Sequence, residues 1–242
     1  MSGHSKWATI KRQKGVNDAK RGQLFTKLAN SISVAAKNGG DPSMNSTLAM
    51  AIEKAKAANV PNSNIERAIK RGTGELGGEQ IEEYLFEGYG PGGVGVIVEA
   101  ASDNRNRTSA EVRTAFTKNG GSLAETGAVS FQFERKGVIR VAADDTEENL
   151  LRLIEAGADD VVEEDLLAVY VEMKKLAEVR SKIAGDGFKI VSAELSYEPK
   201  NVVELDDQAK AVKVQKLLEA LEDLEDVTNT YSNFDWAEAA NE

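Results

Sequence analysis

The spacing of apolar residues changes once along this 242-residue chain, between residues 75 and 81. Before that point the period is helical. Leu24, Phe25, Leu28, Ile32 and Ala35 recur at three- and four-residue intervals, which predicts a helix from Asn17 or Asp18 to Asn38, stopped by Gly39-Gly40. Leu48, Ala51, Ile52 and Ala55 predict a second helix from Ser46 to Asn59, capped by Asn45. Ile65, Ala68 and Ile69 predict a third from Ser63 to Gly72, with Ser63 and Glu66 at capping-box spacing. Three short amphipathic helices can hide their apolar faces only against one another. The expectation is a helical bundle over residues 17–75, with residues 73–80 as a linker.

Beyond residue 80 strand signals alternate with helical ones. Tyr84–Tyr89 and Val94–Ala100 read as strands around the turn Gly88–Gly93. A helix follows, with Thr108 and Glu111 at capping-box spacing and Val112, Ala115 and Phe116 inward. Val129–Arg135 alternates, with Val129, Phe131 and Phe133 on one side, and reads as a strand. Then come a strand at Val138–Ala142, a helix at Glu147–Ala156, strands at Val161–Val162 and Leu166–Val171, a helix at Lys174–Ile183 and a strand at Ile190–Tyr197. That βαββαβ order is the ferredoxin-like split βαβ pattern. A helix at Asp207–Leu224 and a strand at Val227–Ser232 close the chain. Their pairing with residues 94–135 would make a second βαββαβ unit around the first. The expected class is α+β: an N-terminal three-helix bundle followed by two ferredoxin-like α+β domains, one inserted in the other. The expected limits are a basic arm at 1–16, the bundle at 17–75, a discontinuous domain at 81–135 and 201–242, and the inserted domain at 136–200.

Charge is distributed as unevenly as period. The whole chain carries a formal net charge of −10, yet residues 1–75 hold 13 Lys and Arg against 5 Asp and Glu. Such asymmetry suits a polyanionic partner for the basic part. In the arm, Lys6, Trp7, Lys11, Arg12 and Lys14 put an aromatic among cations, a composition that contacts phosphates and stacks on bases; Trp7 pinning the arm to the body is the other reading. On the first helix, Lys20, Lys27 and Lys37 form a stripe opposite the apolar face, with Arg21 beside it. Arg67, Lys70 and Arg71 stand on the outer side of the third helix. These twelve residues are the candidate nucleic-acid contacts. Arg105 and Arg107, next to a helix start, make either a candidate anion site or an internal ion pair with Asp103 or a neighbouring carboxylate.

Other chemistries find little support. Without cysteine there is no disulfide, thiolate nucleophile or Cys-based zinc site. His4, the sole histidine, cannot by itself build a metal site or a triad. The turn at Gly88–Gly93 lacks the Gly-Lys-Ser/Thr ending of a phosphate loop and precedes a strand rather than a helix. The acids at 144–148 and 159–165 do not follow a calcium-loop pattern and read as solvated faces. No apolar run reaches membrane-spanning length, no secretory h-region is seen, and Ser2 breaks the myristoylation pattern. The expectation is a cytoplasmic, non-enzymatic protein with no cofactor, no metal, no membrane and no small-molecule substrate.

Gly3-His-Ser-Lys-Trp7, Phe25-Thr-Lys-Leu28, Asn64-Ile-Glu-Arg-Ala-Ile-Lys-Arg-Gly-Thr-Gly74, Glu87-Gly-Tyr-Gly-Pro-Gly-Gly93, Asp103-Asn-Arg-Asn-Arg-Thr108 and Tyr231-Ser-Asn-Phe234 resemble, in order and over essentially the whole chain, the YebC family. That family includes the mitochondrial translational activator of cytochrome c oxidase. The resemblance implies three domains, one inserted in another. It also implies a regulator that either binds promoter DNA or acts in translation at the ribosome, where ribosomal RNA would be the contact. The alternative expectation is a protein-interaction module whose acidic cleft binds a basic partner.

Overall fold

The structure is a computed structural model that describes residues 18–205 and 207–235, with side chains from Arg21 onward. Three helices come first: α1 (Asp18–Ala36), α2 (Ser46–Ala57) and α3 (Asn62–Gly72). They bury Leu28, Ile32, Ala35, Leu48, Ile52, Ala55, Ile65 and Ala68 in one core. The Asn45 side chain accepts from the Leu48 amide at 3.0 Å, the cap its position predicts. α1 and α3 pack closely because residue 72 is glycine: a Cβ there would stand 2.2 Å from the Ser33 carbonyl oxygen. Ser33 Oγ donates to the Ala68 carbonyl across the same contact at 2.9 Å. The predicted capping box at Ser63 does not form. α3 starts one residue earlier, with Pro61 as its cap residue and no side-chain capping bond, since proline already fixes the entry φ.

The remaining elements are β1 (Glu82–Tyr89), β2 (Gly95–Ser102), α4 (Arg105–Lys118), β3 (Ser122–Ala124), β4 (Phe133–Ala142), α5 (Glu147–Glu155), β5 (Asp160–Glu163), β6 (Leu167–Glu172), α6 (Leu176–Gly185), β7 (Lys189–Pro199), β8 (Val203–Glu204), α7 (Gln208–Glu222), β9 (Val227–Ser232) and β10 (Phe234–Asp235). β4 to β7 form an antiparallel sheet in the order β5-β6-β4-β7, the ferredoxin-like arrangement for βαββαβ. The outer sheet has the order β3-β1-β2-β9 and is also antiparallel. Its spatial order matches the inserted sheet, but its chain order is ββαβ, insertion, αβ rather than the expected βαββαβ. The turn after β1 causes the difference. Gly92 and Gly93 take φ of +77° and +81°, which lets β1 fold back as a hairpin on β2 and fill the slot that β6 fills in the other sheet. The turn therefore does the backbone work expected of it and links two strands.

β4 runs unbroken from Phe133, three residues before the expected limit of the insertion. The predicted strand Val129–Arg135 is replaced by a 3-10 turn at 130–132 followed by β4. Val129 and Phe133 are buried, but the turn swings Phe131 out to 67% exposure. β3, β8 and β10 are only two or three residues long, too short for a period in the sequence to mark them. The β1–β2–β9 surface packs α4 and α7 through Val96, Val98, Phe116, Val214, Leu217 and Leu218.

Candidate nucleic-acid interface

α1 packs against α2 and α3 on one side and against β2 and β9 of the outer sheet on another, and that decides what its cations can do. Lys27 is half-buried and donates from Nζ to the Glu222 carbonyl, so it caps the last turn of α7, which has no basic residue of its own there. Asn30, buried beside it, donates to the Ala101 carbonyl at 3.2 Å and fixes the bundle on β2. The lysine stripe expected on this helix is thus interrupted: Lys27 faces the protein, while Lys37, just past the helix end, is exposed. Arg21 is exposed as well. Lys6, Trp7, Lys11, Arg12, Lys14 and the side chain of Lys20 lie outside the described residues.

α3 splits its three basic residues in the same way. Arg67 and Lys70 are exposed, and neither side chain has an ion pair or hydrogen bond among the described residues. Arg71 is turned inward, with Nη2 3.0 Å from Asp103 Oδ2. Asp103 also meets Arg107 Nη2 at 3.2 Å, and Arg107 closes on Asp226 with Nη2 2.9 Å from Oδ2 and 3.1 Å from Oδ1. Asp226 is nearly buried, and it further accepts from Ser102 Oγ at 2.9 Å and Thr108 Oγ1 at 2.7 Å. The hydrogen bond and charge of Asp226 raise the pKa of Arg107 still further, so it stays cationic at any working pH.

This alternating row, Arg71–Asp103–Arg107–Asp226, joins the bundle to the outer sheet. It lines a cleft of about 370 Å³ together with Glu111 and Glu225. Arg107 thus meets two carboxylates, those of Asp103 and Asp226. Arg105 is exposed and lies over the Tyr84 ring, 5.8 Å from its centroid. The predicted capping box at Thr108 fails for a related reason. The helix starts at Arg105, Asn104 caps the Arg107 amide at 3.1 Å, and the Thr108 hydroxyl is spent on Asp226.

Glu87 is the carboxylate that sequence reasoning passed over. It is 1% exposed and accepts from the amides of Gly127 at 2.8 Å, Val129 at 2.7 Å and Ser130 at 2.9 Å. Burial pushes its pKa up, but those amides and the Ser130 hydroxyl outweigh burial and hold it below the usual carboxylate range. Its alternation within Tyr84–Tyr89 gave no sign of this, since a glutamate there reads as a solvent-facing position.

A larger cleft of about 520 Å³ opens between α1, β7 and β9. Its charged lining is Lys27, Lys54 and Arg140 against Glu164, Glu194 and Glu198. Lys54 pairs with Glu194 at 2.6 Å and Arg140 with Glu164 at 2.7 Å. The lining of this cleft is balanced in formal charge.

Two family descriptions cover the chain. The TACO1/YebC protein N-terminal domain matches residues 5–75, and the TACO1/YebC second and third domain matches residues 81–234. A probable transcriptional regulatory protein of Halothermothrix orenii is 53% identical over 241 residues, covering 97% of this chain and 95% of that protein. Another from Persephonella marina is 52% identical over 243 residues, covering 98% and 97%. The crystal structure of a conserved hypothetical protein from Aquifex aeolicus aligns with a TM-score of 0.89 at 48% identity, covering 98% of this chain and all of that one.

Proposed function

Because the chain belongs to the TACO1/YebC family, we propose that it is a non-enzymatic, nucleic-acid-binding regulator of gene expression. The observation that carries this reading is the sorting of its cations. Lys27, Arg71 and Arg107 are each engaged by a carbonyl or a carboxylate, whereas the exposed side chains of Arg67 and Lys70 meet no acid among the described residues. Adjacent unpaired cations on one ridge of α3 suit consecutive phosphates. Arg21, Lys37, Arg67 and Lys70, with the arm residues Lys6, Trp7, Lys11, Arg12, Lys14 and Lys20, form the proposed contact surface.

The names of the relatives favour transcription as the process regulated, and translation at the ribosome is the competing setting. The domain limits that go with this reading are a bundle ending near 75 and an insertion from 133 to 199 within an outer domain. We place the protein in the cytoplasm.

The test is binding to duplex DNA and co-sedimentation with ribosomes, each across a salt series. Neutralising about six phosphates predicts a fall in affinity of roughly a thousandfold between about 50 and 200 mM salt. Tight, sequence-selective duplex binding supports promoter recognition. Co-sedimentation lost on Arg67→Gln/Lys70→Gln supports a ribosomal site. Salt-independent association with neither would overturn the proposal.

A further inference from the structure

The inserted unit turns a different kind of surface outward. α5 packs on its sheet through the fully buried Leu153, with the partly buried Leu150 beside it. Leu151 and Ile154 do not join that core; they are 54% and 55% exposed. They stand three residues apart, so they are neighbours on one helix face. Glu147, Glu148 and Glu155 share that face: at 100° per residue all five side chains fall within an arc of about 120°. None of these carboxylates has an ion pair or hydrogen bond among the described residues. The one basic residue of the helix, Arg152, is drawn aside, 4.4 Å from the centre of the Phe188 ring and bonded to the Asp186 carbonyl. Asp159 and Asp160, at the start of β5, extend the exposed negative charge.

The location matters as much as the composition. α5 lies against β5, the outer edge of the sheet order β5-β6-β4-β7. The opposite edge, β7, is the one that meets α2 and β9. The patch is therefore on the side of the inserted unit away from the basic bundle. A single exposed leucine needs no explanation. Two exposed aliphatic side chains one turn apart, sharing a face with three glutamates that are unpaired among the described residues, have the chemistry that complements an amphipathic helix carrying Lys or Arg.

We propose that the exposed face of α5 docks a basic amphipathic helix of a protein partner. Leu151 and Ile154 seat its apolar stripe, and Glu147, Glu148 and Glu155 meet its cations. This goes beyond the nucleic-acid reading and does not depend on it. If both hold, the molecule is an adaptor with a nucleic-acid end and a protein end.

The probe is a synthetic helix of alternating Leu and Lys clusters, titrated into the full-length protein and followed by backbone amide shifts. Shift changes are expected on α5 and β5. Leu151→Gln/Ile154→Gln should weaken binding by about tenfold or more. Glu147→Gln/Glu148→Gln/Glu155→Gln should remove most of its salt dependence. Arg67→Gln/Lys70→Gln should bind as the native chain does. Because the substituted side chains are half exposed, the thermal midpoint of each variant should match the native one; Ile154→Gln alone provides a milder second variant.

Four results would overturn the proposal. One is no binding of the peptide. A second is binding unaffected by Leu151→Gln/Ile154→Gln, and a third is equal binding of an all-Lys peptide, which would mean charge alone. The last is self-association in sedimentation velocity that the same double variant abolishes, which would mean a second copy covers this face.

Discussion

Arg67 and Arg71 sit one turn apart on the same short helix, and they have opposite employment. Arg71 looks toward the outer sheet and is one link in a row of four alternating charges ending at Asp226. Arg67, on the same face one turn nearer the helix start, meets no acid among the described residues. The same contrast separates Lys27, which caps α7, from Lys37. A cation at a junction between units contributes to stability and is lost to any outside ligand. A cation one turn along the same helix, beyond the reach of those acids, stays available to one. The basic count of a segment therefore overstates its binding surface by whatever number its neighbours consume.

The sharpest way to break the contrast is at the buried end of the row. Asp226→Ala leaves Arg107 and the Ser102 and Thr108 hydroxyls without their common acceptor, and should cost about 3 kcal/mol in urea unfolding. Nucleic-acid binding by the folded fraction should be unchanged. If binding rises instead, Arg107 is a latent anion site and the ion pair is only a resting state.

Glu87 tests a buried charge answered by backbone instead of by arginine. Glu87→Gln keeps one accepting oxygen but turns an NH2 donor against the Gly127 amide or against those of Val129 and Ser130, and should cost about 2 kcal/mol. The pH dependence has a fixed sign. A carboxylate whose folded pKa is depressed contributes fully above its unfolded value, near 4.5, and loses that contribution as pH falls through the folded value. The stability gap between native and Glu87→Gln chains should therefore be widest at neutral pH and narrow below about pH 4.5, read from urea midpoints at several pH values.

Arg71→Gln removes a pair whose partners are each more than a quarter exposed. A loss of about 0.5 kcal/mol is expected, with no change in the salt slope of nucleic-acid binding. The smallest stability effect belongs to Arg67→Gln/Lys70→Gln, within about 0.5 kcal/mol of native. There the salt slope should drop by about two. Slopes that respond to Arg71 and not to Arg67 and Lys70 would reverse the assignment of the two regions.

Where an element is specified by residues close in sequence, the chain alone was enough. The helical period of residues 24–35, the Asn45 cap and the βαββαβ order of the inserted unit all appear in the structure as read. Asp207, expected only as the first residue of its helix, stands just before α7 and caps it, accepting from the Ala209 amide at 2.8 Å. Local reading failed where a distant partner made a better offer. The Thr108 hydroxyl had a helix N-terminus within reach and went to Asp226, 118 positions away. Glu87 was claimed by amides some 40 positions on, and these hold the 127–130 loop where an alternating strand was expected.

Sequence by itself determined the class of fold, the family and the uneven charge, because period and composition are sums over neighbours. Only tertiary structure decided the β1–β2 hairpin slot, the neutral lining of the central cleft and the division of cations between scaffold and surface. A buried charge must find its counter-charge wherever the fold brings one, and the spacing of residues along the chain does not record where that will be.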